Sequence, residues 1–177
     1  LFYPIGCAAF IYITNNQLLI AALSLRPGLI PPIDGSFFYS YCIVQGTMAL
    51  LLTTLIGPNL IAPDLANGAL SLYLSRPISR AQYILGKMTV LLSLQSLITW
   101  IPGLLLFLIK TEVTGFEWAR NNAWLVGANV IGMSIWIVFL SLIALTLSAL
   151  VKWRIAAGAL ILGIFFAGAG FGNAINT

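Results

Sequence analysis

The residues of this chain that could do chemistry are few, and many of them lie in one polar segment, residues 59–87. This segment carries Asp64, Arg76, Arg80 and Lys87 between two apolar runs. Charged side chains of this kind form ion pairs with a partner or with one another. The chain has no histidine, which excludes His-based metal sites and His-based general-base chemistry. The pattern therefore favours recognition over catalysis, and we predict no catalytic, metal or cofactor site.

Long apolar runs must position this segment. The chain is 60% hydrophobic and 7% charged, with a mean hydropathy of +1.04, whereas a soluble domain carries about 25% charged residues. Crossing a membrane takes about 20 apolar residues. We predict an all-α, polytopic transmembrane helix bundle, 1–177, as a single membrane domain. Its predicted spans are a truncated one at 1–14 and full ones at 37–57, 80–109, 118–151 and 155–175.

The basic residues predict which loops face the cytosol. Residues 58–87 and 152–154 together carry five basic residues against one acidic residue. The loops at 15–36 and 110–121 carry three of each. Because Lys and Arg are enriched in cytoplasmic loops, we predict that the first pair is cytosolic and the second extracytoplasmic. Within the full spans, the charged residues are confined to the first part of the third span, with Arg80 and Lys87, and the start of the fourth, with Arg120.

Helix signals mark the boundaries of the third and fourth spans. Ser79 and Gln82 have the spacing of a capping box, with Ile78 and Tyr83 placed as the two residues of a hydrophobic staple. Thr114 and Glu117 have the same spacing. Pro102 lacks an amide proton, so we predict a kink or break near it, around residue 103, or a strong tilt.

Neutral polar residues inside the spans have two interpretations. Such groups usually form hydrogen bonds between membrane helices, and a polar translocation path is the alternative. The examples are Gln45, Thr53, Thr54, Gln95, Thr99, Asn129 and Ser134. The chain also lacks a phosphate-binding loop, because Gly86-Lys87 is followed by Met88 instead of Ser or Thr. A transporter built from this chain would need a partner to hydrolyse ATP.

The cytosolic segment can form a short helix. We predict it over 62–74, with Asp64 in its first turn and Leu65, Ala69 and Leu72 on one apolar face. Pro77 disfavours helix at the residue before it. The whole run from 64 to 87 resembles the signature segment of ABC-2 type permeases. The elements that carry the resemblance are Asp64, Asn67-Gly68, the apolar stretch 70–74, Arg76-Pro77-Ile78-Ser79-Arg80 and Gly86-Lys87.

The resemblance implies the permease subunit of an ABC exporter in the cell inner (plasma) membrane. It implies two permease copies, as a homodimer or heterodimer, surrounded by lipid, each with a cytosolic ATPase subunit that uses the ATP. It also implies a sixth span beyond residue 177. Residues 58–79 would form the coupling segment that docks on the ATPase. The residues expected at that contact are Asp64, Leu65, Asn67, Gly68, Leu72, Arg76, Pro77, Arg80 and Lys87.

Two other functions remain open at this point. A membrane anchor or assembly factor could bind a cytosolic partner through 58–87 without transport. A membrane-embedded enzyme is the weaker alternative, because histidine is absent and no carboxylate is predicted at membrane depth. Nucleic acid is not an expected partner, since the chain has no basic stripe.

Overall fold

The computed structural model describes residues 2–24, 31–60, 64, 67, 79–151 and 153–175. Regular structure in this part of the chain is helical throughout, with no strand. The helices are α1 Phe2–Asn15, α2 Gln17–Ala22, α3 Gly35–Ile56, α4 Arg80–Ile98, α5 Trp100–Thr114, α6 Phe116–Asn121, α7 Trp124–Leu150 and α8 Arg154–Ile175.

Four described segments are long and apolar enough to cross a membrane. They are Gly35–Leu60, Arg80–Thr114, Trp124–Leu150 and Ile155–Gly172. The predicted all-α, polytopic class is therefore confirmed. With 14 residues, α1 is shorter than the roughly 20 residues that a span requires.

The third predicted span is interrupted at Thr99, between α4 and α5. Thr99 has φ −102° and ψ −90°, outside the helical range. Pro102 then occupies the third position of α5, where a missing amide proton is tolerated because the first turn has no partner for it. The predicted break is present, but it lies before Pro102, because the proline ring clashes with the preceding turn.

Polar side chains of α3 approach the backbone at this interruption. The hydroxyl of Tyr41 donates to the carbonyl oxygen of Thr99 at 3.1 Å, and Gln45 Nε2 donates to the Tyr41 hydroxyl at 3.1 Å. The Gly103 amide reaches the same carbonyl only at 3.4 Å. All three side chains, those of Tyr41, Gln45 and Thr99, are buried. Tyr41 thus bonds from α3 to the backbone of the interruption, and Gln45 supports that contact through a hydrogen bond within α3.

Contacts divide the chain into two compact units. The first comprises Leu1–Thr47 and Ser96–Ile135. Its buried apolar residues are Cys7, Ile11, Phe38, Tyr41, Leu106 and Leu125. Trp118 packs beside this cluster, with its ring centroid 5.3 Å from that of Phe107.

The second unit comprises Met48–Gln95 and Trp136–Thr177. Small residues bring its helices close together. A Cβ atom added at Gly57 would lie 2.7 Å from the Cβ of Ala144, and one at Gly158 would lie 2.9 Å from the carbonyl oxygen of Thr54. Small residues at such contacts are typical of membrane helices, which associate largely through close packing.

Buried polar groups of the second unit bond across its helices. Gln95 Nε2 donates to Thr53 Oγ1 at 2.8 Å, and Ser148 Oγ donates to the Pro58 carbonyl at 3.2 Å. For Gln95 and Thr53 the hydrogen-bonding interpretation is therefore confirmed.

Two boundary predictions were wrong. Thr114 is the last residue of α5, and Gly115, with φ 102°, stands before α6 without a side-chain cap. Glycine adopts this backbone conformation readily, so the chain turns one residue later than the capping box requires. The fourth span begins at Trp124 instead of 118, because α6 is a separate short helix. In addition, Lys110 lies within the candidate span Arg80–Thr114 and not in a loop.

Candidate functional site

The start of α4 has the geometry that its sequence predicts. The Ser79 amide donates to Gln82 Oε1 at 2.9 Å, and the Gln82 amide donates to Ser79 Oγ at 3.2 Å. Two backbone donors that a helix end leaves without partners are thereby satisfied. This reciprocal capping box fixes the first residue of α4 as Arg80, directly after the coupling segment.

Asp64 contacts α4 through its carboxylate. Its Oδ2 atom accepts a hydrogen bond from the Tyr83 hydroxyl at 2.6 Å and lies 2.9 Å from the ammonium nitrogen of Lys87. Tyr83 and Lys87 are four residues apart, so they lie on one face of α4. Lys87 also lies over the Tyr83 ring, 5.4 Å from its centroid. We call these three residues the Asp64 clamp.

The environment of the clamp favours an ionised Asp64. The Tyr83 hydroxyl lowers the pKa of the Asp64 carboxyl by hydrogen bonding to it, and the Lys87 ammonium lowers that pKa further, while partial burial opposes both. The side chains of Lys87 and Asp64 are 28% and 20% exposed. The clamp is therefore a partly hydrated, charge-assisted contact.

The other predicted contact residues fall into two groups. Asn67 and Arg80 are described and exposed. The remaining positions lie outside the described residues, so nothing in the structure bears on them: Leu65, Gly68, Leu72, Arg76 and Pro77. The short helix predicted over 62–74 and the staple residue Ile78 also fall largely in that part of the chain.

Sequence reasoning missed the role of Tyr83. It placed this residue only as the partner of a hydrophobic staple. The spacing of Tyr83 and Lys87 on one helix face was visible, but nothing in the sequence indicates that Asp64, nineteen residues earlier, meets that face.

Comparison with known proteins identifies the family. Residues 18–176 match the family model described as "ABC-2 family transporter protein". No curated protein and no solved structure matches the chain significantly. The match covers all four candidate spans, the capping box of α4 and the Asp64 clamp. The chain belongs to the ABC-2 transporter family and is a multi-pass membrane permease of an ABC transporter.

Proposed function

We propose that this permease exports its substrate with energy from ATP hydrolysed by a separate cytosolic ATPase subunit. Two permease copies, identical or related, form the membrane part, and each docks one ATPase through its coupling segment, 58–79. The Asp64 clamp is the observation that best supports this proposal. It ties the coupling segment to α4 by a side-chain contact in addition to the peptide chain.

The clamp gives Asp64 and Lys87 a positioning role. Their charged groups meet each other within this chain, so in our proposal they hold the coupling segment against α4 while other residues contact the ATPase. Asn67 and Arg80 lie between Asp64 and Tyr83 in sequence, are exposed, and are available for that contact. Complementary charges at an interface contribute more to specificity than to raw affinity.

Movement of the docked ATPase would then act on α4 at two places. One is the capped first turn at Ser79 and Gln82. The other is one turn further along, where Tyr83 and Lys87 hold Asp64. With both the capping box and the clamp attached to α4, the coupling segment cannot pivot about a single point. A displacement of the segment therefore moves α4 with it.

The test replaces Leu72, on the predicted apolar face of the coupling segment. Leu72→Asp would place an unpaired charge in the proposed contact, which is costly when the charge is desolvated. We expect weaker ATPase binding and slower ATP-dependent efflux from reconstituted vesicles, with normal membrane insertion. Leu72→Met is the matched control, because it keeps an apolar side chain of similar volume.

Unchanged binding and unchanged efflux in Leu72→Asp would overturn the proposal. A parent protein that binds the ATPase but supports no ATP-dependent efflux of any compound would instead fit the anchor function. The two results are distinguishable because binding and efflux are measured on the same vesicles.

A further inference from the structure

Lys110 is a buried cation at the end of α5. Its side chain is 7% exposed. It is four residues from Leu106, so it extends the buried face of α5, the helix that packs against α1. A buried charge is unfavourable unless hydrogen bonds or an opposite charge compensate for the lost water. The groups that surround the Lys110 ammonium therefore indicate whether its charge is compensated within the chain or by a ligand.

Among the described residues, no carboxylate compensates for that charge. The chain has four acidic residues, and the structure describes all of them. Asp64 pairs with Lys87, whereas Asp34, Glu112 and Glu117 are exposed and form no ion pair with Lys110.

The described contacts of Lys110 are both with neutral groups. Its ammonium donates to Asn15 Oδ1 at 3.2 Å and lies over the Trp118 ring, 5.7 Å from its centroid. The Asn15 amide nitrogen donates to the Ile11 carbonyl at 2.8 Å, which orients its oxygen toward Lys110. An ammonium has three protons to donate. Hence the site supplies partial compensation and leaves a net positive charge.

This charge lines a pocket of about 240 Å³. The pocket wall is formed by Thr14, Asn15, Ile20, Pro31, Pro32, Ile33 and Lys110. Drug-sized ligands occupy roughly 300–1,000 Å³, so this pocket suits a smaller group.

We propose that this pocket binds a phosphate group through Lys110. The phosphate could belong to an anionic phospholipid headgroup or to a soluble phosphate ester, and both would supply the negative charge that the chain does not. Apart from Thr14, the pocket residues fall in the sequence ranges 15–36 and 110–121, on the side of the membrane predicted to be extracytoplasmic. The proposal does not depend on how the permease is energised.

The experiment uses the full-length permease in dodecyl maltoside, a detergent without phosphate. Dihexanoyl phosphatidylglycerol is titrated in one arm and glycerol 3-phosphate in the other. Binding is followed by the change in tryptophan fluorescence and by the shift in thermal midpoint, and Trp118→Phe assigns the optical signal. Lys110→Met removes the charge, and Lys110→Arg retains it. Arg120→Met is the matched control, since it removes an exposed cation from the neighbouring helix α6.

We expect Lys110→Met to weaken binding by on the order of ten- to a hundredfold, which corresponds to losing a hydrogen bond to a charged group. Lys110→Arg and Arg120→Met should bind like the parent protein. Binding of phosphatidylglycerol alone would identify a lipid headgroup, and equal binding of glycerol 3-phosphate would identify a soluble ligand. Undiminished binding by Lys110→Met, or no binding of either probe by the parent protein, would overturn the proposal.

Discussion

Replacing Tyr83 by phenylalanine should loosen the Asp64 clamp more than removing the charge of Lys87. The hydroxyl of Tyr83 lies 2.6 Å from Asp64 Oδ2, and a hydrogen bond to a charged group is worth about 1.5–3 kcal/mol. Asp64 is 20% exposed, so water replaces part of the lost bond, and we expect a loss of about 1 kcal/mol. The partly exposed ion pair with Lys87 is worth about 0.2–1 kcal/mol.

Hydrogen exchange of the peptide that contains Asp64 measures this difference. A loss of about 1 kcal/mol corresponds to exchange roughly fivefold faster, if exchange follows local opening. We expect that change in Tyr83→Phe and a smaller one in Lys87→Met, in reconstituted permease. Tyr39→Phe is the matched control, because it removes the hydroxyl of a tyrosine that is 68% exposed.

A double-mutant cycle tests whether Tyr83 acts through Asp64. If Tyr83 acts through Asp64, Tyr83→Phe should accelerate exchange less in the Asp64→Asn variant than in the parent protein, because the two residues share one contact. Exchange in Tyr83→Phe no faster than in Tyr39→Phe would refute the reasoning. So would a larger effect of Lys87→Met than of Tyr83→Phe, since the charge and not the hydroxyl would then dominate the clamp.

Three further predictions concern pH, packing and topology. The pKa of Asp64 is lower in the folded protein than in the unfolded chain. The ionised carboxylate therefore stabilises the fold fully above the unfolded pKa of about 3.9, and this stabilisation is lost as the pH falls through the lower folded pKa. Thermal unfolding of the parent protein and Asp64→Asn should therefore differ by a constant amount from neutral pH to about pH 5 and converge at strongly acidic pH; a difference that vanishes above pH 5 would contradict this. Gly57→Ala should destabilise the solubilised protein by about 1–3 kcal/mol through overpacking, whereas Gly132→Ala, where an added Cβ has no neighbour within 4 Å, should leave the thermal midpoint unchanged or raise it. In a cysteine-less background, an impermeant thiol reagent should label Ser36→Cys on intact cells and Asn67→Cys only after permeabilisation; the reverse pattern would invert the predicted topology.

The sequence was sufficient for features that depend on neighbouring residues. Apolar runs predicted the long helices, and Ser79 with Gln82 predicted the start of α4, because each signal acts within one or two turns. The same reasoning failed at Thr114 and Glu117. Gly115 lies between them and can adopt a positive φ, so the chain separates two helices there instead of capping one.

Features that depend on the path of the chain could not be predicted. Asp64 meets Tyr83 and Lys87, nineteen and twenty-three residues later, through a contact that no local pattern encodes. Lys110 was counted as a loop residue, since a lysine after an apolar run usually marks the end of a span. Its burial follows from the packing of α5 on α1, which the sequence does not encode locally.

The position of the interruption within the third span predicts how deep Thr99 lies in the membrane. Met88–Ile98 contains eleven residues and Trp100–Ile109 contains ten, which at 1.5 Å per residue give about 16 Å and 15 Å. For helices near the membrane normal, these two lengths together match a hydrocarbon core of about 30 Å. We therefore predict that Thr99 lies close to the bilayer midplane, with Lys110 at the far boundary. At the midplane a carbonyl without a donor costs several kcal/mol, so the Tyr41 hydroxyl, together with the more distant Gly103 amide, offsets the cost of breaking the helix there.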